Sequence, residues 1–317
     1  MLRSVLTKLE SAFGDIPALR AADTSAVITL AEGKLTSSAL TSLLRHEALC
    51  VLVKGFLPPS VAEAGAEELV ARAERGEARD WMISTSGGLE TSDVQTIGTP
   101  PNMLYTGNHN PHKGFGVDDD DDYDDENDDA SPSSASNRPL DEATMTPSFT
   151  SLILSSLSAC HPPGVKTSPS IPPLFPRLMP GPTRWRSGYV HCDSLEPLSP
   201  SSGTFSANLY LRQPPPSSSW SGARSAAGRL YVWPLRYTRP QFYLNSPTLS
   251  ELASSSAEGQ ARLRGGLGEP VEVEVEAGDL ALICVQRPHA VGGFREGWRV
   301  SLQGFLEYEE GKPMVFS

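Results

Sequence analysis

Cysteine is scarce in this chain of 317 residues: Cys50, Cys160, Cys192 and Cys284 stand far apart and include no CxxC pair. That dispersal offers neither a disulfide framework nor a zinc-ribbon spacing, so reduced thiols and a cytoplasmic setting are the expectation. Long hydrophobic runs are also missing. No stretch approaches the roughly 18 uninterrupted apolar residues that a membrane helix needs, and membrane association is not expected. Positive charge is in short supply too, with 26 Lys and Arg against 38 Asp and Glu and a formal net charge of -12. Ten of the negative charges sit in one run, Asp118 to Asp122, Asp124, Asp125, Glu126, Asp128 and Asp129, so the rest of the chain is nearly neutral. It presents no basic surface to neutralise phosphates, which argues against nucleic acid and for small-molecule partners. At the N-terminus, Leu2, Val5, Leu6, Leu9 and Phe13 share a helical face, and Glu10 and Asp15 suit a domain helix better than a targeting segment.

What is present divides into three regions. Residues 1–113 mix helical and extended signals: a helix to about Phe13, an extended Ser25 to Leu30, a helix around Ser38 to Arg45 and an apolar run from Leu49 to Val53. A further helix opens at Pro58 and Pro59 and stops at Gly76, proline being preorganised for a first helical turn and glycine for a last one. We read this as a mixed α/β support region. Residues 114–139, acidic and then rich in Ser, Pro and Asn, have almost nothing to bury and predict a disordered insert. Gln213 to Gly228, with three prolines among serines and glycines, reads as a second flexible insert.

Residues 140–317 switch, after about Arg184, to short extended segments between turns, the signature of antiparallel β architecture. The expected strands are Gly188 to His191, Phe205 to Leu211, Arg229 to Pro234, Val271 to Glu276, Leu280 to Val285 and Trp298 to Tyr308. Val271 to Glu276 alternates strictly and should have one wet face, whereas Ala281 to Val285 is apolar throughout and should be a central strand.

The chemistry is concentrated in this region. His191-Cys-Asp193 places an imidazole and a carboxylate at i and i+2 near a strand end, on one face, where both can grip one ion. Alone the pair is a weak signal. His289, about a hundred residues later and just beyond the apolar strand, supplies a third donor. Two imidazoles and one carboxylate on a single face leave three positions open on an octahedral ion, the arrangement Fe(II) needs to take a bidentate keto acid and O₂. A closed structural zinc site needs a fourth ligand, and no cysteine stands at a spacing to supply it. Ten residues on, Arg299-Val-Ser301 offers a planar fork and a hydroxyl on one strand face, a donor set matched to a carboxylate.

The order His191-x-Asp193, His289, Arg299-x-Ser301 resembles the signature of the 2-oxoglutarate/Fe(II)-dependent oxygenases, over about Arg184 to Tyr308. The resemblance implies an α+β chain built on a double-stranded β-helix, or jelly roll, with the 1–113 region forming one continuous catalytic domain with 140–317. It implies Fe(II) at His191, Asp193 and His289, 2-oxoglutarate at Arg299 and Ser301, and O₂ as co-reactant. Asn208-x-Tyr210 resembles a further polar pair that many members direct at the cosubstrate; ordinary cross-strand packing explains it equally well. An intact Asp193 points away from halogenation and towards hydroxylation, desaturation or oxidative cyclisation. The expected substrate is a small molecule, an amino acid or a metabolite derived from one, with a protein hydroxylase and a catalytically silent jelly-roll binding module as alternatives.

Arg184, Arg186 and Tyr105 are candidate substrate contacts. His109 and His112 are separated by Pro111, which argues against a helical metal pair, and His46, His161, Trp185 and Trp233 read as structural.

Overall fold

The computed structural model describes residues 27–85, 88–98, 146–161, 164–168, 174–193, 199, 201–220, 227–235 and 257–317. The expected N-terminal helix, the acidic insert, Tyr105, His109 and His112 lie outside these residues. The elements in chain order begin with β1 (Val27–Leu30), α1 (Ser37–Leu44), β2 (Cys50–Val53), α2 (Pro59–Glu74), β3 (Ala78–Thr85) and β4 (Gly88–Ile97). Then come α3 (Thr146–Cys160), β5 (Val165–Thr167), β6 (Phe175–Pro180), β7 (Ser202–Arg212), β8 (Leu230–Val232) and α4 (Ala257–Leu267). The chain ends with β9 (Val271–Val273), β10 (Leu280–Cys284), β11 (His289–Val291), β12 (Trp298–Glu309) and β13 (Met314–Phe316).

Local chemistry explains the early elements. Thr36 caps α1, its hydroxyl accepting from the Ala39 amide at 3.3 Å, and proline at the first turn of α2 costs no hydrogen bond that a helix start would otherwise make. The apolar run at Cys50–Val53 is buried at every position because both faces of β2 are covered.

Ten strands form one large sheet. Its main path runs β1-β2-β10-β7-β12-β6-β4-β3, with β13 pairing β12 and β5 pairing β13, while β11-β8-β9 form a second, three-stranded sheet. The strand period of two sorts the large sheet into two faces. Outwards, Val51, Leu209, Leu282, Val300 and Leu302 pack under α1, α2 and α3 through Leu40, Leu43, Ala66, Leu69, Ile153 and Leu157. Inwards, Leu52, Tyr210, Ala281 and Ile283 meet Leu230, Val232 and Val273 of the small sheet. Two sheets enclosing an apolar layer, with helices backing the larger one, make this an α+β jelly roll. Strand β10 is interior to the sheet, antiparallel to β2 on one side and β7 on the other, as its unbroken apolar sequence predicts.

Three expectations change. Gly188 to His191 is not a full strand; its only ladder contact is a bridge from His191 to His289. Gly188 has φ +82°, and a Cβ there would lie 1.9 Å from the Val291 oxygen, so the chain takes a glycine-only close approach to β11 instead of extending alongside it. The alternating Val271 to Glu276 is strand only to Val273. The described part of Gln213 to Gly228 is tied down: Ser218 and Ser219 are buried, and the Arg295 amide and guanidinium donate to the Ser218 and Ser219 oxygens at 2.7 and 2.9 Å.

Candidate metal centre

The two histidines face each other as a cross-strand pair. The His191 amide donates to the His289 oxygen at 3.0 Å, and the His289 amide returns a bond to His191 at 2.9 Å. Directly opposed residues put their side chains on the same face, and the two rings lie 4.3 Å apart between centroids. Asp193 follows two residues later and is tied to the end of β10 by its amide, 2.9 Å from the Val285 oxygen. Its carboxylate reaches both imidazoles, with Oδ1 3.4 Å from the His191 Nε2 and Oδ2 3.4 Å from the His289 Nε2. The three donor atoms all lie within 4.8 Å of one another. The arrangement is a two-histidine, one-carboxylate facial triad. Cys192, between the two nearer ligands, is fully buried.

The far ring nitrogens settle which atoms face the ion. The His191 Nδ1 lies 3.0 Å from the Tyr189 oxygen, and the His289 Nδ1 lies 2.9 Å from the Arg287 oxygen. A carbonyl can only accept, so each Nδ1 carries the proton and each Nε2 presents its lone pair towards Asp193. Burial, reinforced by the neighbouring His289, pushes His191 down to about 4, which keeps the ring neutral and able to ligate at physiological pH. Burial works to raise the Asp193 carboxyl, but the two imidazoles and Arg177 together hold it well below the usual carboxylate range. The Asp193 side chain keeps 22% of its surface exposed, so the triad has an open side.

Arg299 and Ser301 stand on the inner face of β12, where Ser301 pairs with Tyr210 and Gln303 with Asn208 of β7. Arg299 is 3% exposed and lies over the Tyr210 ring at 5.0 Å. Its guanidinium donates a hydrogen bond to the Tyr210 hydroxyl and its Nη1 lies 3.8 Å from the Met179 sulfur, while among the described residues its Nε and the Ser301 hydroxyl are buried with no hydrogen-bond partner. Burial depresses the Arg299 guanidinium from its ordinary value and raises the Tyr210 phenol. A buried guanidinium edge and a buried hydroxyl left without acceptors cost free energy, which an anion accepting from both would recover. Asn208 is satisfied locally, its amide donating to the Ser206 hydroxyl at 2.8 Å.

The remaining candidates lie elsewhere. Arg184 and Arg186 are exposed and lie over the Trp185 and Trp220 rings at 4.8 and 4.7 Å. His46 bonds the Ser199 oxygen and stacks on Phe205, His161 packs edge-on against Tyr308, and Trp233 is buried with its indole N–H on the Gly268 oxygen. These three are structural. Sequence reasoning missed Arg177 on β6, whose guanidinium lies over Trp81 and donates to Gln303. The prolines at 172, 173, 176, 180 and 182 masked the strand that carries it.

No protein-family model matches the chain, and no curated protein matches it. Among solved structures the chain is similar to a Pseudomonas putida prolyl-4-hydroxylase, at 15% identity over 88% of this chain and 100% of that one, with a TM-score of 0.40. It is also similar to the non-heme alpha ketoglutarate dependent carbocyclase SnoK from nogalamycin biosynthesis, at 15% identity over 88% of each chain and a TM-score of 0.42. A third is the epimerase SnoN, in complex with Fe3+, alpha ketoglutarate and nogalamycin RO, at 13% identity over 86% of this chain and 84% of that one and a TM-score of 0.38. At these identities and scores the likeness fixes neither reaction nor substrate.

Proposed function

We propose that this protein is a non-haem Fe(II) enzyme that oxidises a small molecule with 2-oxoglutarate and O₂. The observation that carries the reading is the pairing of two incomplete sites in one barrel: a facial triad open on one side, and a buried Arg299 Nε and Ser301 hydroxyl that have no acceptor among the described residues. His191, Asp193 and His289 hold the metal through two Nε2 lone pairs and a carboxylate, a donor set suited to Fe(II) with coordination positions to spare. When bound, the iron supplies oxygen activation coupled to oxidative decarboxylation of the keto acid.

The chain's own residues do the positioning. The carbonyls of Tyr189 and Arg287 hold each Nδ1–H, which turns both Nε2 atoms towards the metal position. Arg299 grips the distal carboxylate of 2-oxoglutarate through its fork, with Ser301 adding a hydroxyl donor and Tyr210 a ring face behind the guanidinium. Asn208, one cross-strand position further along β7, borders the same space. The buried apolar layer between the sheets, which includes Tyr210 beside the clamp, keeps water from that part of the interior. Hydroxylation, desaturation and oxidative cyclisation all share this machinery, and an amino acid or a metabolite derived from one is the substrate class we propose. Arg184 and Arg186, with Tyr105, stand as proposed substrate contacts.

The test is anaerobic titration of the protein with Fe(II) and 2-oxoglutarate, watching for the visible charge-transfer band of a chelated keto acid. The reading expects the band in the wild type, its loss in His191→Ala, and its recovery only at higher 2-oxoglutarate in Arg299→Ala. A wild type that shows no band at saturating Fe(II) and 2-oxoglutarate would overturn it in favour of a silent binding module.

A further inference from the structure

Besides Arg299 and Ser301, the inner face of the large sheet carries a second pair of donors that the proposed reaction does not use. Arg177 on β6 is the Cα partner of Ser301 on β12, so its side chain leaves the sheet beside the cosubstrate donors. One edge of its guanidinium is occupied: Nη1 donates to the Gln303 Oε1 at 2.6 Å. The plane is set by Trp81, whose ring lies 5.2 Å from the guanidinium carbon. Among the described residues the buried Nε has no hydrogen-bond partner, and no carboxylate lies within ion-pair distance of Arg177. Strand β4 runs antiparallel to β6 with Gln95 opposite Leu178, a register that brings Thr96 alongside Arg177. Thr96 is fully buried, and its hydroxyl is likewise without a partner among the described residues. An arginine Nε edge and a hydroxyl, neither with an acceptor among the described residues, therefore occur twice on this face.

The cosubstrate cannot satisfy both pairs. 2-Oxoglutarate has two carboxylates, and on the function proposed above one is taken by Arg299 and Ser301 and the other by the metal. A third anion is needed for the open edge of Arg177. We propose that Arg177 and Thr96 form a second anion subsite, and that it reads a carboxylate of the substrate. A carboxylate is favoured because the Nε edge of a guanidinium held flat by an indole offers planar, side-on donors, and a single hydroxyl beside it completes the set. Arg177 feels the charges of both Asp193 and Arg299, so the subsite lies within electrostatic reach of the triad and of the cosubstrate clamp. Burial lowers the guanidinium only to about 10, so it remains a cation at neutral pH.

The subsite rests on the oxygenase reading, and one experiment separates the two. Full-length protein is loaded with Ni(II), which takes the Fe(II) position without turnover, and with 2-oxoglutarate. It is then titrated calorimetrically with acetate, butyrate, benzoate and phenylacetate and with their primary amides. The expected result is that at least one acid binds about tenfold or more tightly than its amide. Arg177→Gln should abolish that preference and change 2-oxoglutarate affinity by less than about threefold. Thr96→Val, close in shape, should weaken the acid by about three- to tenfold, the worth of one hydrogen bond. The subsite is overturned if no acid outbinds its amide, or if Arg177→Gln costs about tenfold or more in 2-oxoglutarate affinity, which would assign Arg177 to the cosubstrate clamp. A metal-loaded wild type that binds no 2-oxoglutarate would fail at the earlier step, taking the oxygenase function and the subsite down together.

Discussion

Strands β10 and β12 flank β7 in the same sheet, yet their inner faces are built to opposite ends. On β10 the side chains of Leu280, Ala281, Leu282, Ile283 and Cys284 are all buried among apolar neighbours, and each contributes stability simply by leaving water. On β12 the outer face does the same through Val300 and Leu302, but the inner face presents Arg299, Ser301 and Gln303, each no more than 3% exposed. Every buried donor there subtracts from stability until something accepts from it. One strand holds the barrel together; the other, leaning on that stability, holds open a place for an anion. The two should respond to mutation in separable ways.

The sharpest break falls at the triad. His191→Ala and Asp193→Ala are expected to abolish turnover and to weaken metal binding by more than about a hundredfold, beyond the loss typical of disturbing a supporting group. Metal content after dialysis, with circular dichroism to confirm the fold, checks this. Leu282→Ala comes next and should cost about 2–5 kcal/mol in denaturant unfolding through the cavity it leaves, with 2-oxoglutarate affinity unchanged in the fraction that remains folded. Arg299→Met should do the reverse. Cosubstrate affinity is expected to fall on the order of a hundredfold, while the melting temperature of the metal-free protein holds or rises, because an uncompensated buried cation has been replaced by an apolar chain of similar length. A fall in both quantities would show that Arg299 is structural. Ser301→Ala is the mildest: it should cost about 1 kcal/mol of 2-oxoglutarate binding and nothing measurable in stability.

The same contrast governs how much could be read from the sequence. β10 was legible because a strand buried on both faces needs an unbroken apolar run, and α2 because Pro58, Pro59 and Gly76 mark its ends. The triad was legible because i, i+2 spacing on an extended segment defines a face without any knowledge of the fold. β6 was not: proline is disfavoured inside a ladder, and Pro176 and Pro180 break the pattern of a strand that pairs with β4 at Leu178 alone. The helices α3 and α4 were missed for a related reason, since Ser- and Thr-rich α3 and the glycines of α4 have little intrinsic helical preference and form on contact with the core, where Ile153, Leu157 and Leu263 are buried. Arg177 could not have been singled out at all, because its meaning comes from being opposite Ser301, a pairing across more than a hundred residues that only the sheet register reveals.

The His191–His289 bridge has a consequence for the thermodynamics of the whole chain. Two residues about a hundred positions apart are joined there by a pair of backbone hydrogen bonds, and a metal held by side chains from both segments would act as a reversible cross-link closing a long loop. Such a link takes its greatest toll on the disordered ensemble. Metal binding should therefore be read not only by the triad but by the amide protons of His191 and His289, which should exchange with solvent quickly in the metal-free protein and slowly once both ends of the loop are pinned.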